Sequence, residues 1–216
     1  MIGDPTGKKL TRPQLTPKEV AARQRAGAVV LDTRPAQQFG ASHVPRSIHI
    51  ALSGQFASWA GTLLGLERDI IIVAEDAEQV AETRLRLARV GIEHVAGVLA
   101  GGMASWAESK RSVAQTGQIT AQELSTMLDK VQVVDVRRKG EWDEGHIPGA
   151  ILMPLHKLTE LTKNIDGDRP VAVHCKGGYR SAIAASLIQR AGFDQVMDLK
   201  GGFDAWRACG LAEAKG

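Results

Sequence analysis

The stretch Val171-Ala-Val-His-Cys175-Lys-Gly-Gly-Tyr-Arg180-Ser-Ala-Ile-Ala-Ala-Ser-Leu-Ile188 decides how the rest of the chain is read. Val171 to Val173 is a short, largely β-branched run of the kind that forms a buried strand, and Ser181 to Arg190 carries apolar residues at helical spacing. The six residues Cys175 to Arg180 join the two, which puts a thiol at the mouth of a helix. Gly177 and Gly178 lack a Cβ, so the backbone can curl with its N–H groups inward, and the helix adds the positive end of its dipole. Such a loop cradles an anion. With Lys176 and Arg180 alongside, thiol acidity rises, and Cys175 is expected to be substantially thiolate near neutral pH and to act as a nucleophile.

Three further motifs flank this loop: Asp135-Val-Arg137, then Glu141-Trp142-x2-Gly145-His146-Ile-Pro148-Gly-Ala150, then Gly201-Gly202-Phe203-x2-Trp206. Together with Cys175-x4-Arg180 between strand and helix, their order and spacing closely resemble the rhodanese family of sulfurtransferases. The resemblance implies an α/β fold with a mainly parallel sheet flanked by helices. It also implies catalysis at Cys175 and a substrate or persulfide-binding loop of Lys176, Gly177, Gly178, Tyr179 and Arg180. Asp135, Arg137 and His146 stand apart as supporting or structural groups.

A repeat of about a hundred residues runs through the chain. Thr16 with Glu19 and Thr120 with Glu123 are capping boxes at helix starts, the first followed by Pro17. Val29-Val-Leu-Asp32 matches Val131-Gln-Val-Val-Asp135, and Asp32-Thr-Arg34 matches Asp135-Val-Arg137. His43-Val-Pro45 matches His146-Ile-Pro148, and Gly101-Gly-Met-x2-Trp106 matches Gly201-Gly-Phe-x2-Trp206. A repeat of that length is domain-sized. The expected organisation is a leader over 1–13, an inactive rhodanese-like domain over 14–110, a linker over 111–117 and a catalytic domain over 118–216. The first copy is read as inactive because Ala74-Glu75-Asp76 falls opposite His174-Cys175-Lys176, with neither thiol, glycine pair nor arginine. A carboxylate there suits helix capping.

The persistence of Asp32, Arg34 and His43 in the copy without a thiol favours structural roles for Asp135, Arg137 and His146. His174 adjoins the nucleophile, but neighbouring strand residues point to opposite faces, so it is not read as catalytic. Trp106 and Trp206 are read as core, and Cys209 as a passive thiol.

Composition narrows the rest. With 44% hydrophobic and 24% charged residues the chain is an ordinary globular protein, and a net charge of +3 on interleaved Lys, Arg, Asp and Glu offers no nucleic-acid patch. The sequence shows no signal peptide and no apolar run of spanning length, so no membrane partner is expected. Two cysteines make no disulfide scaffold, and no Cys/His cluster has zinc spacing, so no metal or other cofactor is expected and the location is read as cytoplasmic.

The resemblance implies transfer of a sulfane sulfur from a small anionic donor, thiosulfate or a glutathione-type persulfide, to cyanide, sulfite or a thiol through a Cys175 persulfide. Tandem copies with an inactive first domain also resemble the C-terminal part of persulfide dioxygenase–rhodanese fusions, which implies a role in sulfide metabolism and a persulfide dioxygenase as partner. Two other readings compete: a non-catalytic interaction or regulatory module, and a rhodanese-like phosphatase or arsenate reductase. Relatives of the latter kind carry a longer Cys-x5-Arg loop, against the four intervening residues here.

Overall fold

The computed structural model describes residues 13–215. The leader reading, 1–13, therefore lies outside the described residues except for Pro13, whose carbonyl accepts a hydrogen bond from the Val98 N–H. In chain order the first copy comprises β1 (Gln14–Leu15), α1 (Pro17–Arg25), β2 (Val29–Asp32), α2 (Ala36–Ala41), β3 (Ile48–His49) and α3 (Phe56–Leu63). It closes with β4 (Ile70–Val73), α4 (Ala77–Ala88), β5 (Val95–Leu99) and α5 (Gly102–Glu108). The second comprises β6 (Gly117–Ile119), α6 (Ala121–Ser125), β7 (Gln132–Asp135), α7 (Lys139–Glu144), β8 (Ile151–Leu152) and α8 (Leu158–Leu161). It ends with β9 (Val171–His174), α9 (Tyr179–Arg190), β10 (Val196–Leu199) and α10 (Gly202–Ala208).

Each copy forms one five-stranded sheet, in the orders β1-β5-β4-β2-β3 and β6-β10-β9-β7-β8, and every pairing between these strands is parallel. The two orders are the same topology, the α/β architecture expected from strands alternating with helices. β4 and β9 occupy the equivalent central positions, and their runs of fully buried Ile and Val are what a strand covered on both faces requires. Both capping boxes form. Thr16 and Thr120 accept from the backbone N–H of Glu19 and Glu123, whose carboxylates return to the N-cap N–H at 2.8 Å in each case.

One face of each sheet has a private core: Leu15, Val20, Val30 and Trp106 in the first copy, and Ile119, Leu124, Val133 and Trp206 in the second. The opposite faces share a single core, in which Leu31, Ile50 and Ile72 join Val134, Val173 and Ile183. Segment 111–117 is packed in the same way as the chain after α10. Trp106 Nε1 donates to Ser112 O and Trp206 Nε1 to Ala212 O, while His43 bridges Ala114 as His146 bridges Ala214.

The copies meet asymmetrically. Helix α9 is buried from Ser181 to Ile188, with β3 of the first copy against it, whereas the equivalent α4 buries only Thr83 and Leu87 and leaves Leu85 exposed. Ser186 Oγ accepts from the His49 N–H at 3.0 Å and Tyr179 Oη donates to Ala51 O at 3.0 Å, so these two side chains of α9 find their partners across the seam.

A shared core ties the stability of one copy to the other. Ile50→Ala, in the first copy, should cost about 2–5 kcal/mol and lower a single thermal transition that tryptophan fluorescence and Cys175 alkylation report together. Two separated transitions would show that the copies unfold independently.

Candidate active site at the interdomain face

The parallel β9 ends at His174, and the chain then turns through Cys175 to Gly178 into α9. Gly178 has φ +110°, a left-handed conformation that a side chain would strain, and its N–H donates to Cys175 Sγ at 3.1 Å. The thiol lies 3.6 Å from Ser181 Oγ, which itself donates to Gly178 O at 3.1 Å. Ser181 was not singled out by the sequence, although it directly follows Arg180 in the first turn of the helix.

A second strap holds the loop from behind. Phe203 N–H donates to Cys175 O at 2.8 Å and Asp204 N–H to Lys176 O at 3.0 Å, so the start of α10 grips both peptides of the cysteine turn. That approach requires glycine at 202, where φ is +60° and a Cβ would fall 2.5 Å from both Cys175 O and Lys176 O. The equivalent Gly102 stands farther off, its Cβ position 3.4 Å from Ala74 O. The Gly-Gly-x3-Trp motif is thus common to both copies, while the tight strap belongs to the copy with the thiol.

The structure places the loop residues unequally. Lys176 is exposed beside the thiol, and Tyr179 is turned toward the first copy, its phenol pushed up to about 12 by burial. Arg180 does not stand as an unpaired cation over the sulfur. Both of its terminal nitrogens donate to the Glu141 carboxylate at 2.7 Å. Those hydrogen bonds hold the Glu141 carboxyl down to about 2 and push the Arg180 guanidinium above its ordinary value. The sequence reading gave Arg180 a charge for the substrate; its first partner is a carboxylate 39 residues earlier in the chain, a pairing that local spacing does not disclose.

Asp135 and Arg137 form a buried pair at the end of β7. Arg137 Nη2 meets Asp135 Oδ2 at 2.6 Å and reaches Gly145 O at 2.8 Å, and Arg34 does the same with Asp32 and Ser42 O in the first copy. The His146 ring stacks on Trp142 with centroids 3.6 Å apart, as His43 stacks on Phe39. These three residues shape the corner where α7 leaves the sheet. His174 is fully buried and lies 3.5 Å from Asp135 through Nε2; burial pushes its imidazole below the ordinary histidine value. Cys209, partly buried, packs against the private core of the second copy, apart from the shared core that contains Cys175.

A cavity of about 520 Å³ opens over the loop, with Cys175, Lys176, Gly177 and Arg180 along one side. Gly54, Gln55 and Trp59 of the first copy form part of its wall, and Arg138 adds a further cation at the rim. Sequence reasoning missed this wall. The signal available was Trp59 itself, a large aromatic with no counterpart in the other half of the repeat.

The family description Rhodanese-like domain matches residues 16–109 and 120–209, and the chain belongs to that family. Among curated relatives, a protein named Sulfurtransferase from Allochromatium vinosum is 34% identical over 97 residues, which is 44% of this chain and 91% of the relative. The Thiosulfate sulfurtransferase GlpE of Shewanella oneidensis is 40% identical over 81 residues, 38% of this chain and 80% of the relative. A solved rhodanese-related protein from Thermoplasma volcanium is 31% identical, with a TM-score of 0.44 over 45% of this chain and 97% of its own. Among the described residues no helix is long and apolar enough to cross a membrane.

The strap makes a sharp expectation. Gly202→Ala should push the Cys175 and Lys176 carbonyls aside and slow alkylation of Cys175 by roughly tenfold or more at neutral pH, whereas Gly102→Ala should leave it nearly unchanged. Equal rates in both variants would show that the α10 contact does not shape the loop.

Proposed function

We propose that this protein is a sulfurtransferase that carries sulfane sulfur on Cys175, taking it from thiosulfate or a glutathione-type persulfide and passing it to cyanide, sulfite or a thiol. The observation that carries this reading is the position of Cys175 Sγ: at the end of a central parallel strand, touched by a backbone N–H, and lining a cavity with cationic side chains at its rim.

In the first half of the cycle the thiolate attacks the outer sulfur of the donor. A bond forms between Sγ and that sulfur, the donor's S–S bond breaks, and sulfite or a thiolate leaves with the electron pair. In the second half the acceptor attacks the outer sulfur of the Cys175 persulfide and Sγ departs as thiolate. The step pair is covalent catalysis and needs no external oxidant or reductant. Lys176 and Arg138 attract the anionic donor, and Arg180, tied to Glu141, fixes the far end of the loop. Names borne by the relatives support the chemistry and leave donor and acceptor to experiment.

Cys175→Ser should abolish transfer and the gain of one sulfur atom seen by mass spectrometry after exposure to thiosulfate, while Cys209→Ser keeps both. Retained turnover in the Cys175 variant would sink the mechanism.

The cavity is several times larger than thiosulfate needs, and its far wall is Trp59 and Gln55. Trp59→Ala should therefore raise KM for glutathione persulfide by roughly three- to tenfold, about 0.7–1.4 kcal/mol, with little change for thiosulfate. Equal effects on both donors would remove the wall from substrate recognition.

A further inference from the structure

On the side of the first copy that holds its private core, the chain builds a second electropositive cavity. Its volume is about 340 Å³, within the range of small-molecule sites. Arg25 at the end of α1 and Lys110 and Arg111 just after α5 line it together with Trp106 and Ser112, and it shares no lining residue with the cavity over Cys175. Among the described residues no carboxylate lines this cavity, and none of its three cations takes part in an ion pair. Arg111 Nε is buried and has no hydrogen-bond partner among them, a costly arrangement for a charged donor. The Arg111 guanidinium lies 5.9 Å from the centroid of the buried Trp106 ring, which holds the charge at the cavity wall.

The repeat shows that the fold itself does not ask for these residues. With Trp106 matched to Trp206 and Ser112 to Ala212, Lys110 falls opposite Gly210 and Arg111 opposite Leu211. Gly210 has φ +66°. Lys110 adopts the same left-handed backbone at φ +57°, where a side chain costs conformational energy that glycine avoids. Leu211 packs against the private core that contains Trp206, whereas Arg111 sets a charge beside the equivalent ring. The first copy thus keeps a strained lysine and a partly buried arginine where the second has glycine and leucine, and retained strain of this kind points to use.

We propose that this cavity binds a small, multiply charged oxyanion. Arg111 and Arg25 supply planar N–H donors to its oxygens, and Lys110 acts as a point charge. An anion there turns repulsion among three like charges into attraction and gives Arg111 Nε an acceptor. Such donors read charge and oxygen geometry rather than the central atom, so a phosphate group and a sulfur oxyanion share the chemistry that the cavity recognises. The site is independent of the reading of Cys175.

The test follows the indole N–H of Trp106 in the full chain carrying Cys175→Ser, which silences sulfur chemistry in the other cavity. That N–H donates to Ser112 O in the cavity wall, so a bound anion should move its signal in proton–nitrogen correlation spectra. The signal is identified as the one missing from Trp106→Phe. Inorganic pyrophosphate and thiosulfate are titrated separately at physiological ionic strength, and at least one should give a saturable shift. Tighter binding of pyrophosphate supports the site with a phosphate-bearing ligand, and tighter binding of thiosulfate supports it with a sulfur oxyanion. Arg111→Leu, which copies the second domain, should weaken binding by roughly tenfold or more. Lys110→Gly should weaken it several-fold without lowering the melting temperature, because glycine adopts that backbone freely, and this separates loss of a ligand contact from loss of fold. No saturable shift with either anion at millimolar concentration, or unchanged affinity in Arg111→Leu, would overturn the proposal whatever the sulfur-transfer assay shows.

Discussion

The enclosure of α9 is the constraint on which the rest of the molecule depends. A helix buried along the whole stretch from Ser181 to Ile188 cannot be amphipathic in the usual sense, and it must find a packing surface on every side. Its own sheet supplies one, and β3 with the first copy's half of the shared core supplies the other. Ala182, Ala184 and Ala185 keep the helix slim enough for both sheets to approach. The N-terminus of that helix is where Cys175 sits, so the force that joins the two copies also fixes the nucleophile.

Around this helix the molecule uses the same rigid corner twice. Arg137 with Asp135 and Arg34 with Asp32 are buried pairs in which the guanidinium also satisfies a loop carbonyl. Breaking such a pair leaves an uncompensated buried charge, at a cost of about 3–5 kcal/mol. The pairs set where α7 and α2 leave the sheets, and through α7 they set the place of Glu141, which anchors Arg180. The corner is indifferent to the thiol, which is why it also stands in the copy that has none.

Much of this was legible in the chain. The capping boxes at Thr16 and Thr120, the strand runs, the doubled Gly-Gly-x3-Trp and the repeat of Asp-x-Arg gave two tandem α/β domains, and the family match confirms them. Those signals are local. What escaped was long-range: Glu141 on Arg180, and Trp59 and Gln55 across the domain boundary. The enclosure of α9 escaped for a related reason, since its small residues also suit a helix with one exposed face.

The two loops show why losing a thiol differs from losing a site. In the first copy Asp76 is the N-cap of α4 and accepts from the Gln79 N–H at 2.8 Å, while the Glu75 N–H donates to Gln79 Oε1 at 2.8 Å. The Glu75 carboxylate is in turn met by Gln38 and Gln79. Two of the backbone donors at that helix mouth, those of Glu75 and Gln79, are thus occupied by the loop's own side chains. In the second copy there is no capping side chain on α9: Gly178 stands at the N-cap, and its N–H points at sulfur. With glycine at the N-cap the helix start forgoes only a few tenths of a kcal/mol relative to a side-chain cap, a loss the enclosure of α9 between two sheets offsets. Each copy therefore holds part of what the site needs, the second the open donors and the first the packing that lets them stay open.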